Sequence, residues 1–186
     1  MRTLYAFLLT SVDGYHADAD GGTDWFDVDE EFEEYSRAQG EHIDTILMGR
    51  VTFEMMASFW PTPQAYEQDP VVAGFMNDLP KVVASRTMTE HEWGPTTFVA
   101  DDVAGHVRAL KEAPGKDIAI FGSSSLVAEL LPTGVVDELR IIVDPVALGR
   151  GIPALAGLAK PLPLRRTGLQ AFANGHVVLT YVPVMS

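Results

Sequence analysis

The sequence predicts an α/β fold in which helices cover a mostly parallel central sheet and an antiparallel hairpin forms its C-terminal edge. Three observations carry this. Apolar runs of strand length alternate with segments of helical spacing through most of the chain. Runs such as "TLYAFLLTSV" (3–12) and "DIAIF" (117–121) are apolar at consecutive positions, as in strands buried on both faces. Near the end, Asn174-Gly175 joins "LRRTGLQAFA" to "HVVLTYVPV", and Asn-Gly between two strand-like runs is a strong hairpin signal.

Each element follows in order. "TLYAFLLTSV" is the first and central strand, and "DGYHADADGGTDW" (13–25), rich in Asp and Gly, is a loop. Asp27 or Asp29 caps a helix running to about Gln39, with Phe32 and Tyr35 facing inward. "IDTILMG" (43–49) is a strand, and "RVTFEMMASFW" (50–60) is a helix ended by Pro61. "PTPQAYEQDP" (61–70) reads as an irregular excursion and "VVAGFMNDL" (71–79) as a short helix. "KVVAS" (81–85) and "TTFVA" (96–100) are strands. Asp101 or Asp102 caps a helix that places Val103, Val107 and Leu110 on one face. "DIAIF" passes almost directly into a helix carrying Leu126, Val127, Leu130 and Leu131. "DELRIIVDPVAL" (137–148) is a long strand, and "GRGIPALAG" (149–157) separates it from the hairpin. There is no internal repeat and no linker, so residues 1–186 read as one domain.

Composition narrows the function. Of 186 residues, 47% are hydrophobic and 21% charged, which suits a globular domain with a sizeable core. The chain has no cysteine, which excludes disulfides, thiolate metal sites, cysteine nucleophiles and the Cys-ligated zinc of nucleobase deaminases. Thirteen basic residues face 26 acidic ones, a net charge of −13 that repels nucleic acid and anionic lipid. "MRTLYAFLLTSVDG" is too short to span a bilayer and reads as a strand rather than a signal peptide, so no membrane partner and a cytoplasmic location are expected. The five histidines lack metal-ligand spacing, and neither a metal nor a covalent intermediate is expected.

Three strand-to-helix turns share one chemistry. After "DIAIF" come Gly122, Ser123, Ser124 and Ser125, then Leu126. A glycine lets a ligand approach the backbone, and a helix's first turn offers free N–H groups at the positive end of its dipole. The serines add hydroxyls that suit phosphate, though serine is also an ordinary N-cap. At "ILMGRVTFE" (46–54), Gly49 is followed by Arg50 and Thr52, a cation and a hydroxyl in a first turn. "VVASRT" (82–87) ends a strand with Ser85, Arg86 and Thr87, which suits a phosphate monoester. Each arginine has a plainer alternative in a surface ion pair. Ligands of open α/β sheets bind at the carboxyl ends of strands, so three such turns point to one ligand with several phosphates, such as a dinucleotide. Arg86 favours NADPH over NADH, and without G-x-G-x-x-G the arrangement is not the Rossmann one.

Those three stretches resemble the dihydrofolate reductase fold, a three-layer α/β/α sandwich. The chain more closely resembles the reductase, C-terminal domain of the bifunctional riboflavin-biosynthesis deaminase–reductase and its stand-alone relatives. "TSVDGYHA" (10–17) is similar to that family's Ser-x-Asp-Gly element. "VVDELRIIVDPVALGRGIPAL" (135–155) is similar to its Asp-Glu-Leu … Pro-x-x-x-Gly-x-Gly segment. The resemblance implies NADPH as hydride donor. It places Gly49, Arg50 and Thr52 on the pyrophosphate side, Ser85 and Arg86 at the adenosine 2′-phosphate, and Gly122 to Leu126 under the nicotinamide half. It also implies a cis peptide at Gly122-Ser123, a homodimer, and kinship with 5-amino-6-(5-phosphoribosylamino)uracil reductase. The deaminase half is missing, and the loop 17–31 matches neither a pterin site nor the riboflavin pattern.

For the chemistry itself, Asp13 is the first candidate proton donor because it directly follows the first strand, although a turn aspartate before Gly14 reads equally well. Asp27, Asp29, Glu30, Glu31 or a water are alternatives. Ser11 could bind substrate from the same strand. Trp25 or Trp60 could wall a planar ring, with core packing the plainer role for Trp60. Arg150 could meet a substrate phosphate or an acid at a dimer interface. His16 and His42 read as surface histidines near the site. The expected activity is NADPH-dependent hydride transfer to a small carbonyl or imine substrate. A pterin-type reductase, or a non-catalytic module holding NADPH or a flavin nucleotide, are the rival readings.

Overall fold

The computed structural model describes residues 1–185. Strand β1 (Leu4–Ser11) divides its side chains between two cores. Leu4, Ala6 and Leu8 enter one, with Tyr5 and Phe7 in the other. That is the period-2 alternation of a strand buried on both faces, and it explains the unbroken apolar run in the sequence.

The remaining elements are β2 (Tyr15–Ala17), α1 (Glu30–His42), β3 (Ile43–Gly49), α2 (Arg50–Phe59), α3 (Pro63–Gln68), α4 (Pro70–Asp78), β4 (Lys81–Ala84), β5 (Thr96–Val99), α5 (Val103–Glu112), β6 (Asp117–Phe121), α6 (Ser124–Leu130), a 3₁₀ turn (Leu131–Thr133), β7 (Glu138–Asp144), β8 (Ile152–Pro153), β9 (Leu164–Ala171) and β10 (Val177–Pro183). The main sheet has eight strands in the order β5-β4-β3-β6-β1-β7-β10-β9. Pairing is parallel from β5 through β7, while β10 runs antiparallel to β7 and to β9. The expected fold class, with its C-terminal hairpin, is the observed one.

Helices cover both faces. Val103 and Val107 of α5 and Leu126, Val127 and Leu130 of α6 pack on one side. Phe32 and Tyr35 of α1, Phe53 and Met56 of α2, and Val72 and Met76 of α4 pack on the other. Each fully buried large apolar side chain contributes about 1.5–3 kcal/mol, so these two cores hold the layers together. Among the described residues no helix is long and apolar enough to cross a membrane.

Four local expectations change. Residues 61–70, expected to be irregular, contain α3 and the start of α4. Thr62 Oγ1 accepts from Ala65 N–H, Asp69 accepts from Val71 and Val72 N–H, and Pro63 and Pro70 open the two helices. A proline at the first helical position loses no hydrogen bond, so these prolines start helices rather than break one. The long strand expected over 137–148 stops at Asp144, because Pro145 has no N–H to continue the ladder. The loop 13–25 includes β2, which pairs with β8 as a separate two-stranded sheet. The helix expected to end near Gln39 continues to His42.

Candidate functional site

Strands β4, β3 and β6 are consecutive in the sheet, so the three turns singled out in the sequence leave it side by side. The helix after β3 lies on one face and the helix after β6 on the other. Adjacent strands whose helices part in this way leave a crevice at their carboxyl ends. A cleft of about 750 Å³ opens there.

The two turns meet closely. A Cβ placed on Gly49 would lie 2.6 Å from Ser123 Oγ, so no side chain fits at Gly49 while that hydroxyl keeps its place. Gly122 has φ +64°, a left-handed conformation that favours glycine, and its peptide bond to Ser123 is cis. Gly122 opens toward Thr52 and His16, with Thr52 Oγ1 3.4 Å and His16 Cε1 3.7 Å from the position a Cβ would take. Gly49, Arg50, Thr52, Gly122, Ser123, Ser124, Ser125 and Leu126 all line the cleft.

The caps of these helices set them apart. The other four α-helices have a side chain accepting a first-turn N–H: Asp29, Thr62, Asp69 and Asp102. The first turns of α2 and α6 have no such acceptor, and their N-caps are Gly49 and Ser123. Unsatisfied N–H groups beside a cleft are the donors a pyrophosphate takes up, so the residues fit an NADP(H)-type cofactor. Ser124 Oγ is already committed, accepting the N–H of Leu155 at 2.6 Å. Ser123 and Ser125 share a hydroxyl contact of 3.1 Å and face the exposed side.

Ser85 and Arg86 stand at the adjoining strand end but outside the cleft lining. Ser85 Oγ accepts the N–H of Met88 at 2.8 Å and closes the turn after β4. Arg86 projects into solvent, 3.9 Å from Asp101. A smaller depression of about 340 Å³ is formed by Arg50, Glu54, Thr87, Met88, Thr89 and Glu90. Arg50 belongs to both hollows, so a ligand leaving the cleft past Arg50 reaches the β4 turn.

The residues expected at the reacting end are placed differently. Asp13 is outside the cleft lining. Its carboxylate accepts from Ser11 Oγ at 2.7 Å, from Gly149 N at 2.7 Å and from Leu148 N at 3.1 Å. The Ser11 hydroxyl, with these backbone donors, holds the Asp13 carboxyl below the usual carboxylate range. An ionised acceptor occupied in this way has no proton to give. Ser11, buried, completes the turn by accepting from Tyr15 N. Trp25 Nε1 donates to Gly22 O within its own loop, and Trp60 lines the cleft in its place. Arg150 is exposed and outside the lining, although Ile152 and Pro153 just beyond it form part of the wall.

Several polar side chains in the lining were not expected there, among them Glu33, Ser36, Gln39 and His16. Glu33 of α1 faces the cleft, whereas Asp27, Asp29, Glu30 and Glu31 do not. Its Oε2 accepts from Arg37 at 3.0 Å, and Arg37 also donates to buried Asp69 at 2.8 Å. Glu33, Ser36 and Gln39 recur at helical spacing beside the apolar Phe32–Tyr35 face, and the rotation of α1 on the sheet turns all three toward the cleft. Buried Gln39 has no partner for its Oε1. His16 Nδ1 lies 3.2 Å from Leu9 O. A carbonyl only accepts, so Nδ1 carries the proton and Nε2 is left as an acceptor. Burial pushes the ring below the ordinary histidine range, which keeps it neutral near pH 7. Among the described residues no three His, Asp or Glu side chains converge as metal ligands.

Behind the cleft, Asp144 and His176 form a buried pair. Asp144 Oδ2 accepts from His176 Nε2 and from Asp27 N–H, each at 3.0 Å. His176 stacks on Phe26 at 4.9 Å. The pair ties the 18–29 loop to the C-terminal hairpin. Distant positions meet here, so sequence spacing gave no sign of it.

Comparison with known proteins agrees with this fold. The family model of the RibD C-terminal domain matches residues 2–178. The uncharacterized protein YyaP of Bacillus subtilis (strain 168) is 30% identical over 182 residues, 97% of this chain and 94% of that protein. The Thermotoga maritima diaminohydroxyphosphoribosylaminopyrimidine deaminase/5-amino-6-(5-phosphoribosylamino)uracil reductase superposes with a TM-score of 0.68 at 13% identity, covering 98% of this chain and 57% of that one. Dihydrofolate reductase from Enterococcus faecalis, complexed with NADP(H), superposes with a TM-score of 0.64 at 15% identity, covering 97% of this chain and 96% of that one. The last two similarities show the shared fold.

Proposed function

The chain belongs to the RibD C-terminal domain family, a family of riboflavin-pathway-type reductases, and on that premise we propose that it is an NADPH-dependent reductase of a small carbonyl or imine substrate. The observation that carries this reading is the pair of uncapped helix starts, at Gly49 and Ser123, opening into one cleft. A bound NADPH supplies the hydride. Arg50 and Thr52, with the first-turn N–H groups of α2 and α6, hold the pyrophosphate. Arg50, which borders both hollows, would guide the adenosine end toward the β4 turn, where Ser85, Arg86 and Thr87 would hold the 2′-phosphate. Gly122 would let the backbone come close to the nicotinamide end of such a cofactor, in the space that Thr52 and His16 border. Phe7, Leu9 and Phe121 keep water from the reacting face. The proton taken up by the substrate's oxygen or nitrogen would come from a water held at Glu33, or would already be on the nitrogen of an iminium substrate.

A homodimer belongs to the same reading. The outer strand β9 exposes Leu169, and a second copy would cover that edge.

A non-catalytic nucleotide module remains the second reading. It is favoured by the groups beside the apolar wall: His16 is neutral and Glu33 and Asp69 are engaged by Arg37, while the third carboxylate of the lining, Glu129, stands on α6. Titration with NADPH, followed by NADPH fluorescence, tests both. Saturable binding together with NADPH oxidation by a cyclic imine or carbonyl compound is the expected result. Binding without oxidation across a broad panel favours the module, and no binding overturns both.

A further inference from the structure

The cleft has two chemically unlike halves, and the half away from the helix starts is built for an uncharged guest. Its wall includes Phe32, Met55, Phe59, Trp60, Phe75 and Met76. Of the chain's 13 lysines and arginines, only Arg50 lines the cleft. Arg50 sits at the cofactor end and is paired with Glu54 at 2.7 Å. The charged side chains in or behind the apolar half are Glu33 and Asp69, both acidic, and Arg37, their common partner, is outside the lining. Arg150, the cation expected at a substrate phosphate, is outside it too. A phosphate or carboxylate entering this half would meet carboxylates and rings and would lose its hydration with no cation to compensate.

The same wall offers acceptors. Gln39 is 7% exposed, and its buried Oε1 has no partner. That atom has almost no accessible surface, so a guest or an ordered water reaches it only if the Gln39 amide turns toward the cleft. Glu33, about one and two-thirds turns earlier on α1, presents its carboxylate to the cleft directly.

We infer that the substrate half of this cleft takes a neutral or singly cationic, largely apolar ring compound bearing a hydrogen-bond donor, and rejects phosphorylated and carboxylated ones. This deepens the reductase reading and rests on it, because it assigns the helix-start half to the cofactor. The phosphoribosyl compound named for the Thermotoga relative is then a poor guest here, despite the shared fold.

Calorimetric titration of NADPH-saturated protein with matched pairs tests it. One pair is 6-aminoquinoline and quinoline-6-carboxylate. The other is 5-amino-6-(5-phosphoribosylamino)uracil and its dephosphorylated form. The amine is expected to bind at least about tenfold more tightly than the carboxylate, a gap of about 1.4 kcal/mol. The dephosphorylated uracil is expected to bind no more weakly than the phosphorylated one. Val28 lines the cleft and is partly exposed, so Val28→Lys supplies the missing cation at little risk to folding. That variant is expected to tighten the phosphorylated uracil at least about threefold and to leave 6-aminoquinoline unchanged. Tighter binding of either anion by the unaltered protein, or no heat from the amine and the dephosphorylated uracil, overturns the inference. A separate NADPH titration reads the cofactor assignment. Its failure sinks the reductase reading, whereas NADPH binding with preference for the anions sinks this inference alone.

Discussion

Gly49 and Ser123 belong to different strand ends, yet a single added carbon on Gly49 would fall 2.6 Å from the Ser123 hydroxyl. The two helix starts therefore meet through that hydroxyl, with Ser123 Cβ at an ordinary 3.5 Å from the added carbon. Gly49→Ala is expected to displace the Ser123 side chain and to cost about 1–3 kcal/mol in urea unfolding, as overpacking usually does. Adding Ser123→Ala removes the clashing oxygen and should recover most of that loss. A double-mutant cycle with no coupling between the two sites would show that they are not in contact.

Arg50 and Arg86 should separate in their effects on cofactor affinity. Arg50→Ala removes the one cation of the cleft and is expected to weaken NADPH and NADH alike, by about ten- to a hundredfold. Arg86→Ala should weaken NADPH and spare NADH, so that the preference between them narrows. Parallel titrations with both nucleotides check this, and an unchanged ratio in Arg86→Ala would remove Arg86 from the 2′-phosphate.

Asp13 clamps the turn that leads to the cleft wall, through the N–H groups of Leu148 and Gly149. Asp13→Ala should free that turn and disturb Ile152 and Pro153. The expected result is a raised KM with kcat held within about threefold, since the reacting groups keep their places. A collapse of kcat at unchanged KM would instead return Asp13 to the chemistry.

Lys81 is fully buried, donating to Asn77 O and Leu79 O beside the Trp93 ring. Burial pushes its ammonium from 10.5 down to about 8. Between those values the unfolded chain binds more protons than the folded one, so this group makes stability rise with pH from about 8 to 10.5. Below about 8 the lysine is charged in both states, and its desolvation cost is fully present. Urea unfolding at pH 7.5 and pH 9.5 should show that rise in the native protein and a smaller one in Lys81→Met.

His176→Ala leaves Asp144 buried with one donor fewer. The expected loss is about 3 kcal/mol, the usual cost of breaking a buried charged hydrogen bond. Loosening of the 18–29 loop should accompany it, measurable as faster amide hydrogen exchange at Asp27.

The layers were legible because β1, β3 and β6 are apolar at nearly every position, and α5 and α6 keep a helical stripe. The cofactor half of the cleft was legible for a local reason: Gly49-Arg50 and Gly122-Ser123 each sit where a strand meets a helix. The reacting half was not. Glu33 is one acid among many in "DVDEEFEEYSR", and only the rotation of α1 on the sheet selects it. Asp13 looks catalytic by its position after β1, but its direction is set by the N–H groups of a segment more than 130 residues away. The Asp144–His176 pair likewise depends on where a hairpin folds back.

The place of β1 in the sheet has a cost during synthesis. Its two neighbours are β6 and β7, and Leu4 pairs with Ile118, which is 114 positions later. A ribosome therefore releases this apolar strand well before either of its partners. The emerging N-terminal half holds a naked ribbon with no native mate, a strong demand on chaperones while it waits. Transplanting Leu4–Ser11 behind the hairpin by circular permutation would shorten that wait for β1.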